Sequence, residues 1–552
     1  LLNGADGVLV SGCHPRDCHY AQGNFHARRR LEVLKRFLPV LGIDDARFEY
    51  TWVSASEGQR WQKVVKTFTE RIHALGRAPR LEDYRNLSGD SLLGGERRFG
   101  ESLPGNGEDL RPEKYAPDQT EASKPERGGS DLLSHSRGGP VLVAGRGRYH
   151  TGVEGSKGRD ISAEGVSKEE LHSGVFSLQD CLDFAENGGG KSSLTELKQA
   201  LKIHLPNLDL IIGWGRGYDP LHATPLFMRT PEDVDKLVWG PLNVHNLATY
   251  LPALRNKKVG VVVKGCDSRS IVELLQENLI ERENVMIFSM PCTGVVDLAR
   301  IGRILRDKGA SIGRVEAFTV SGKTLTVTAD GQSHDMSMDE AAADKCLNCQ
   351  YPRALLADVI IGEPSEPKAP DEGRISGLTD AASVDAATQE EPAGNSSGGM
   401  SGISSGGMPL SDSDKGPNIQ EVGRPEDWMA FWRFHMERCI RCYACRNACP
   451  LCVCRDHCIA GSRDPQWVSQ EHTVGEKLMF QAIHAMHLAG RCTECGECQR
   501  ACPMGIPVLE LKRHMNAIIR ELFDYHAGTS PEAVPPLLSF QAEETNIMER
   551  NF

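Results

Sequence analysis

Long apolar runs, an excess of basic charge and a secretory leader are all absent from this sequence of 552 residues. No apolar run approaches the roughly 18 residues that a membrane-spanning helix needs, because stretches such as VGVVV and LIIGW are only as long as buried strands. The net charge of −12 at pH 7 argues against a nucleic-acid partner, since phosphate binding needs a basic face. The first residues show no charged segment followed by an apolar core, so no signal peptide is visible. These absences predict a cytoplasmic protein without a membrane span.

Several enzyme motifs are also lacking. The sequence contains no Ser-His-Asp arrangement, no Walker loop, no paired-carboxylate motif and no complete Gly-x-Gly-x-x-Gly after a strand. The first residue, Leu1, is not a methionine, and LLNGADGVLV resembles the middle of a helix followed by a strand. We therefore expect further residues upstream, and we identify no catalytic residue.

Composition divides the chain into three modules, in agreement with the length, which predicts about three domains. Two stretches rich in Gly, Ser, Pro and charged residues are predicted to be mostly disordered linkers that isolate the modules from one another. The predicted order is an amino-terminal module (1–85), a linker (86–189), a middle module (190–363), a linker (364–424), a ferredoxin module (425–528) and a polar, loose tail (529–552).

Hydrophobic patterning predicts a multidomain α/β plus α fold. The amino-terminal module alternates strand and helix, as does half of an open α/β sheet. In the middle module, KVGVVVKGCDSRSIVELLQ and NVMIFSMPCTGVVDLARIGRILRDKG each read as strand, turn and helix, and residues 317–331 read as a β-hairpin. The ferredoxin module has helical apolar spacing in three segments and is predicted to be all-helical.

Eighteen cysteines indicate metal binding rather than disulfides. Disulfide frameworks belong to small secreted domains whose cysteines are spread over loops. Here eleven of the eighteen lie between Cys439 and Cys502, in repeated C-x-x-C patterns.

Eight of these cysteines form two copies of the pattern C-x2-C-x2-C-x3-C-P. The first three cysteines of each copy bind one 4Fe-4S cluster, and the fourth, before proline, binds the other cluster. The rule predicts a cluster-one set of Cys439, Cys442, Cys445 and Cys502, and a cluster-two set of Cys492, Cys495, Cys498 and Cys449. Zinc bound in C-x-x-C pairs is the alternative. The long, helical interval between the copies resembles the all-helical ferredoxins of succinate dehydrogenase (its iron–sulfur subunit) and heterodisulfide reductase (its C subunit).

Three further cysteines in the first copy, Cys452, Cys454 and Cys458, have no partner in this scheme. Three thiols are one short of a four-thiolate cluster. A further cluster or metal, redox chemistry, and packing as small apolar groups all remain open for them.

In the middle module four cysteines are candidate ligands of a third 4Fe-4S cluster. Cys266 and Cys292 each follow a buried strand, where α/β sheets place their ligand sites, and Cys346-x2-Cys349 adds two more thiolates. Zinc and scattered buried cysteines are the alternatives. Three charged residues flank Cys266 and either tune the metal site, face a cofactor or are surface charges at a turn: Lys264, Asp267 and Arg269.

The motifs KGCDSRS, MPCTG and CLNCQYPRALLADVIIG resemble the deazaflavin-dependent hydrogenase/dehydrogenase beta-subunit family. The resemblance implies one 4Fe-4S cluster, FAD and a deazaflavin site. The segment GWGRGYDPLHATPLF is the candidate flavin-contacting segment, and a glycine loop beside a hairpin is the alternative. Its candidate cofactor-binding residues are Gly213, Gly215, Arg216 and Gly217.

Residues 1–80, with GADGVLVSGCHPRDCHYAQGNFHARRR and YTWVSASEG, resemble the methyl-viologen-reducing hydrogenase delta-subunit family. The resemblance implies a 2Fe-2S cluster that passes electrons from a hydrogenase or formate dehydrogenase to heterodisulfide reductase. Cys13 and Cys18 supply only two of the four ligands that such a cluster needs, and His14 and His19 could supply the others. A docking domain without a redox centre is the alternative.

Three functions remain in view. The first is an iron–sulfur electron-transfer subunit, in an anaerobe, whose partners are a heterodisulfide-reductase-like complex and a hydrogenase or dehydrogenase. The second is an FAD-containing dehydrogenase that oxidises a reduced nicotinamide or deazaflavin and feeds its own clusters. The third is an interaction scaffold whose metals are structural zinc ions.

Overall fold

The computed structural model describes residues 1–2, 4–19, 22–80, 190–362, 367, 422, 424–454, 458–462 and 466–547, of which 190–192 are described for the backbone only. The first predicted linker lies outside the described residues, as does the second apart from positions 367, 422 and 424. No described helix is long and apolar enough to cross a membrane.

The amino-terminal module has two parallel strands, each followed by a helix, as predicted. Strand β1 (Val8–Gly12) pairs with β2 (Phe48–Trp52) with Val8 opposite Phe48. Helix α1 (Gly23–Phe37) follows β1 and α2 (Gly58–Leu75) follows β2.

The middle module is built on a five-stranded sheet. After α3 (Gly190–His204), the strands are β3 (Leu210–Arg216), β4 (Ala223–Met228), β5 (Val259–Val263), β6 (Val285–Ser289) and, later in the chain, β10 (Val359–Ile360). Their order is β10-β6-β5-β3-β4, and β4 alone is antiparallel to its neighbour. Between the strands lie α4 (Pro231–Asp235), α5 (Gly265–Gln276) and α6 (Leu298–Asp307).

A second, antiparallel sheet follows α6. It consists of β7 (Val315–Ser321), β8 (Thr324–Ala329) and β9 (Gln332–Ser337) in that order. The predicted hairpin is present, because β7 turns into β8 through Gly322, whose φ is +59°. Two short helices come next, α7 (Met338–Ala341) and α8 (Asp344–Leu347).

The described part of the ferredoxin module contains helices and no strand. Its helices are α9 (Pro425–Arg438), α10 (Ala444–Asn447), α11 (Val474–His487), α12 (Glu497–Arg500) and α13 (Val508–Phe523). The chain as a whole therefore mixes α/β sheets with a helical part.

The predicted isolation of the modules is wrong for the amino-terminal and ferredoxin modules, which share one hydrophobic core. The indole Nε1 of Trp432, on α9, donates a hydrogen bond to the carbonyl of Val40 over 2.6 Å. Gly42, at φ +81°, lies so close to α9 that a Cβ would be 2.5 Å from Cα of Met429. Composition carries no information on whether the modules that flank a linker pack together.

The described part of the tail is also not loose. Arg29 of α1 forms an ion pair with Glu544 over 2.5 Å and donates to the carbonyl of Pro536 over 2.7 Å. Phe540 stacks on Phe25 with ring centroids 4.9 Å apart. These contacts anchor the tail on α1.

The middle and ferredoxin modules also pack together, because Leu451, Leu488 and Cys492 belong to the core of the middle module, and polar contacts join the two modules as well. The guanidinium of Arg269, on α5, donates to the carbonyls of Ala527 and Thr493 over 3.1 Å each. Arg491 forms a two-pronged ion pair with Glu277. Both arginines are at least partly withdrawn from water, so these contacts fix the relative position of the two modules.

Candidate metal centres

The two copies of the cysteine pattern in the ferredoxin module adopt the same backbone path. In each copy, the residue before the second cysteine and the residue after it have positive φ: Arg441 (53°) and Tyr443 (59°), and Glu494 (56°) and Gly496 (72°). Positive φ is uncommon for residues other than glycine. A one-turn helix follows in each copy, α10 and α12. The repeated left-handed steps curl each loop around its cysteines.

The cluster-one set converges in the structure. Burial raises the pKa of Cys439, and negative charge on Cys502 and Cys442 raises it further. Burial also raises the pKa of Cys445, with Cys502 and Cys439 adding to the shift. These interactions join Cys502, from the second copy, to Cys439 and Cys445 of the first copy, and join Cys439 to Cys442.

The cluster-two set converges in the same crossed manner. Burial raises the pKa of Cys495 to about 11, and negative charge on Cys449 contributes next. The charge of Cys449 likewise raises the pKa of Cys492 and of Cys498, in both cases after burial. The structure thus brings the eight sulfurs together in the two sets that the spacing rule predicts, while cluster binding stays a prediction.

The four middle cysteines line one cavity of about 680 Å³. Because β5 and β6 are adjacent parallel strands, Cys266 and Cys292, which follow them, lie at the same edge of the sheet. Burial raises the pKa of Cys292 to about 12, with negative charge on Cys346 as the next cause. Gly265 is required here, since a Cβ would lie 1.8 Å from the carbonyl oxygen of Tyr351 in the loop after Cys349.

The charged residues around Cys266 are not surface charges. Lys264 and Asp267 are 1% and 0% exposed and form an ion pair of 2.8 Å. The ammonium of Lys264 also donates to the carbonyl of His245 and lies 4.2 Å from the centre of the Trp214 ring. Arg269 holds the ferredoxin module, as described above, and covers the ring of Tyr351. These residues shape the wall of the cavity and its contact with the next module.

Sulfur spacing separates a single zinc ion from a larger cluster. With Zn–S bonds of about 2.3 Å, the four sulfurs of a tetrahedral zinc site lie about 3.8 Å apart. Among the described residues, one group of three metal-ligating atoms lies mutually within 4.8 Å, and it is not three members of any predicted set. No three sulfurs of a predicted set, all of which lie among the described residues, are that close to one another.

Two further observations are consistent with cysteine thiolates that bind clusters: backbone hydrogen bonds to two of the sulfurs, and one buried cation near others. Backbone N–H groups donate to Cys346 Sγ from Val295 over 3.3 Å and to Cys502 Sγ from Ile506 over 3.4 Å. Lys512, on α13, is 1% exposed, and its ammonium has no hydrogen-bond partner among the described residues. A buried charge without a partner is costly, so negatively charged clusters on either side would stabilise it.

Lys512 lies near cysteines of both ferredoxin sets. Its positive charge opposes the rise in the pKa of Cys445, which burial causes, and so acts on the cluster-one set. It acts in the same way on Cys449 and Cys498 of the cluster-two set. The motifs did not point to Lys512, but a lysine at an apolar position of the stripe Val508, Leu511, Met515, Ile519 was a usable signal.

A second lysine, Lys345, joins the middle set to the cluster-two set. It lines the middle cavity and donates from Nζ to the carbonyl of Cys495 over 2.7 Å. Burial opposes its charge, but negative charge on Cys266 and Glu497 outweighs burial and raises the pKa of Lys345. Sequence reasoning missed this residue too, because only the tertiary fold brings α8 against Cys495.

The amino-terminal pair, Cys13 and Cys18, differs from the other sets. Cys13 is exposed and Cys18 is half-buried. His14 forms an ion pair of 2.6 Å with Glu57. Hydrogen bonding from the backbone of Ser54, with His14 as the next cause, lowers the pKa of Glu57 to about 2. His14 is thus held by a carboxylate, and no third ligand from the described residues joins the pair within the spacing of one metal ion.

The candidate flavin segment lies on the β3–β4 hairpin, and packing accounts for two of its glycines. A Cβ on Gly213 would be 2.4 Å from the side chain of Leu237, and one on Gly217 would be 2.4 Å from the carbonyl oxygen of His222. Gly215 faces Leu226, and Arg216 is exposed at the end of β3. None of these four residues lines the cavity of the middle cysteines.

Comparison with known proteins finds three family models along the chain. Residues 1–76 match the methyl-viologen-reducing hydrogenase delta subunit, and residues 256–378 match the C terminus of the coenzyme F420 hydrogenase/dehydrogenase beta subunit. Residues 435–506 match the 4Fe-4S dicluster domain. The chain therefore carries segments similar to a hydrogenase delta subunit, a beta-subunit carboxyl terminus and a dicluster domain. These matches confirm the predicted resemblances to the delta-subunit and beta-subunit families and the predicted two-cluster 4Fe-4S module.

Curated relatives cover different parts of the chain. The beta subunit of the F420-dependent formate dehydrogenase of Methanocaldococcus jannaschii is 25% identical over 380 residues, which is 65% of this chain and 96% of that protein. An F420-non-reducing hydrogenase iron-sulfur subunit of Archaeoglobus profundus is 47% identical over 76 residues, 14% of this chain and 56% of that protein. A ferredoxin:CoB-CoM heterodisulfide reductase subunit of Methanosarcina mazei is 42% identical over 76 residues, 14% of this chain and 10% of that protein. The relatives of this chain are thus subunits of hydrogenase, formate dehydrogenase and heterodisulfide reductase.

Proposed function

We propose that this chain is an iron–sulfur electron-transfer subunit that relays electrons between a hydrogenase or formate dehydrogenase and a heterodisulfide-reductase-like complex. The observation that carries the proposal is the linear order of the cysteine sets. Lys345 contacts the middle set and the cluster-two set, and Lys512 lies between the cluster-two and cluster-one sets. Three 4Fe-4S clusters held in this order would pass single electrons from one module to the next.

The two ends of this series suggest where partners dock. The middle module carries the likeness to the formate dehydrogenase beta subunit, and the amino-terminal module carries the likeness to subunits of hydrogenase and heterodisulfide reductase. Helix α9 ends at Cys439 and packs on the amino-terminal module through Trp432. Electrons would therefore be exchanged with a dehydrogenase at the middle module and with a reductase at the amino-terminal module, in the cytoplasm of an anaerobe.

The proposed ligands are the three sets of four cysteines, and the amino-terminal pair completed by ligands outside the described residues would hold a 2Fe-2S cluster. The proposed domain boundaries remain those predicted from the sequence, with an all-helical ferredoxin as the last domain. When bound, the clusters supply one-electron carriers, and the chain's own contribution is to hold them, to exclude water around the buried sulfurs and to supply the two lysine charges.

A second candidate function is an FAD-containing dehydrogenase that oxidises a reduced deazaflavin or nicotinamide and feeds the clusters. The match that spans 96% of a formate dehydrogenase beta subunit named as F420-dependent favours it. Release and chromatography of flavin from purified protein, followed by addition of reduced deazaflavin, NADH or NADPH, tests it. Iron–sulfur protein that contains no flavin and is reduced by none of the three contradicts this candidate.

The leading proposal is tested by an anaerobic reductive titration followed by absorbance and EPR. The coloured protein is expected to take up about three electrons per chain, one for each 4Fe-4S cluster. A colourless protein that contains zinc and no acid-labile sulfide would instead establish a structural zinc scaffold and contradict the proposal.

A further inference from the structure

One of the three cysteines that the repeated pattern leaves unassigned lies directly beside the cluster-two set. The Sγ atoms of Cys449 and Cys452 and a ring nitrogen of His484 all lie within 4.8 Å of one another. The two sulfur atoms interact strongly enough that the contact with Cys452 raises the pKa of Cys449, with burial as the next cause. Among the described residues this is the one group of three metal-ligating side chains with so close a spacing.

The histidine of this group lacks any hydrogen-bond partner. His484 projects from α11 and is 3% exposed, and neither of its ring nitrogens has a partner among the described residues. Buried polar groups are nearly always satisfied, and an unsatisfied one costs free energy. The imidazole next to two thiols therefore has the environment of a metal ligand.

The spacing of the group matches a single metal atom. Thiolate and imidazole ligands lie about 2.3 Å and 2.0–2.1 Å from a metal, so two ligands of one tetrahedral atom lie within about 4 Å of each other. Cys449 is already expected to bind one iron of cluster two. The metal atom that the three side chains surround is then that same iron.

We propose that the iron of cluster two bound by Cys449 has two reserve ligands, Cys452 and His484, either of which can replace Cys449. This proposal rests on the proposed cluster two. In the exchange with Cys452, the bond from iron to Cys449 Sγ breaks and a bond from iron to Cys452 Sγ forms. The proton of the Cys452 thiol passes to the released Cys449 thiolate, so charge and oxidation state do not change. In the exchange with His484, a neutral ring nitrogen binds the iron as Cys449 Sγ leaves, the released thiolate takes a proton from water, and the oxidation state is again unchanged.

The arrangement gives a role to Cys452 and leaves Cys454 as a matched control. Cys454 lies in the same run but is exposed, and it is not a member of the close group. A reserve ligand would keep the fourth iron in place when its first ligand is oxidised or displaced, which protects the cluster that stands between the middle set and cluster one.

The test compares full-length variants purified without oxygen, by iron and sulfide content and by EPR of the reduced protein. Cys449→Ala, alone or with Cys454→Ala, is expected to keep the full iron content with an altered cluster-two spectrum. The triple variant Cys449→Ala/Cys452→Ala/His484→Ala is expected to lose one iron per chain. Loss of that iron in Cys449→Ala alone, as complete as in the triple variant, would overturn the proposal.

A second measurement uses only proteins that retain Cys449. Wild-type protein and Cys452→Ala/His484→Ala are treated with ferricyanide, and the release of the first iron is followed with a chelator. The double variant is expected to start with the wild-type iron content and to release that iron at least tenfold faster. Equal rates would contradict the proposal, as would an extra metal ion in the wild type that the double variant lacks.

Failure of the proposed function has a different signature. If Cys498→Ser, which removes a cluster-two ligand outside the close group, changes neither iron content nor EPR signal, then cluster two itself is absent. In that case both proposals fall, whereas the outcomes above overturn only the reserve ligands.

Discussion

The cluster-two cysteines of the ferredoxin module and the cysteine pair of the amino-terminal module have different environments. In the ferredoxin module, Cys492, Cys495 and Cys498 are buried, and loops with two left-handed residues direct them toward Cys449. At the other end, Cys13 is exposed and the neighbouring His14 is held by Glu57. Buried thiols that crowd one another are unfavourable as thiolates, and iron would relieve that crowding. All eight cysteines proposed as ligands at the ferredoxin end lie among the described residues, whereas Cys13 and Cys18 supply two of the four ligands that a proposed 2Fe-2S cluster needs.

The largest effect that sharpens this comparison is expected from Cys498→Ser. The variant removes a buried ligand of the cluster-two set, so the protein should lose that cluster and about four irons. Because Cys498 belongs to the core shared with the amino-terminal module, we also expect a lower unfolding temperature. Iron analysis and thermal unfolding without oxygen measure both effects. Cys454→Ser, an exposed cysteine of the same module, is the control and should match the wild type.

A smaller loss is expected at the other end. Cys13→Ser/Cys18→Ser should lower the iron content by at most about two per chain and leave the EPR signals of the 4Fe-4S clusters unchanged, because the pair lies outside the three sets. Loss of four or more irons would show that the amino-terminal pair supports a larger centre, and the contrast between the ends would fail.

Removal of the charge of Lys512 should change the reduction potentials of the two ferredoxin clusters and of no other centre. Lys512→Met removes a buried positive charge, which stabilises the reduced clusters, so both ferredoxin potentials should become more negative. A unit charge about 10 Å away contributes about 1.7 kcal/mol at an effective dielectric constant of about 20, which corresponds to about 70 mV for one electron.

Lys477 provides a matched control for that shift. It is 3% exposed, donates to the carbonyl of Glu437 over 3.3 Å, and interacts with Cys439 of the cluster-one set. Lys477→Met should therefore lower the potential of cluster one alone. EPR-monitored redox titrations of both variants measure these potentials. If Lys512→Met shifts the potential of only one ferredoxin cluster, Lys512 does not lie between the two clusters.

The smallest effect concerns the contact that holds the ferredoxin end on the middle module. Burial, followed by negative charge on Glu277, raises the pKa of Glu273 to about 8. The carboxyl accepts hydrogen bonds from the backbone N–H of Gly528 and from Tyr525. At pH values below about 4.3, the pKa of a glutamate in an unfolded chain, Glu273 is protonated in both the folded and the unfolded protein. Its contribution to the free energy of unfolding is then complete. It is lost as the pH rises through about 8, by at most about 1.4 kcal/mol per pH unit.

Glu273→Gln should remove this pH dependence, because the amide stays neutral. Unfolding temperatures of the two proteins between pH 5 and pH 8, measured without oxygen, test the expectation. Glu471→Gln, at an exposed carboxyl, is the control and should keep the wild-type profile. Parallel profiles for all three proteins would show that Glu273 does not govern the contact.

A feature could be predicted from the sequence when the residues that form it lie close together in the chain or follow a known pattern. The pattern around Cys439–Cys449 and Cys492–Cys502 specifies its own loop, so the two crossed sets could be predicted from spacing alone. Cys266 and Cys292 could be paired because adjacent parallel strands end at one edge of a sheet. Lys345, Lys512 and His484 could not be found from cysteine spacing, since Lys345 acts across two modules and the other two come from helices outside the two cysteine patterns. The shared core around Trp432 escaped prediction because it too joins two modules.

Glycines and charges at turns could not be interpreted from the sequence alone. Close packing against Leu237 and against the carbonyl of His222 accounts for Gly213 and Gly217, and contact of this segment with a flavin stays a prediction. Lys264 and Asp267 resembled charges at an exposed turn, yet they form a buried ion pair. Single residue types at a turn do not reveal whether solvent, a ligand or another segment lies next to them.

The central claim is that three sets of four cysteines each hold a 4Fe-4S cluster. Iron and acid-labile sulfide counted per chain in protein purified without oxygen test it most directly. We expect about twelve irons and twelve sulfides, with about two more of each if the amino-terminal pair completes a 2Fe-2S cluster. A count of about eight irons or fewer would contradict the claim by removing the cluster of the middle module.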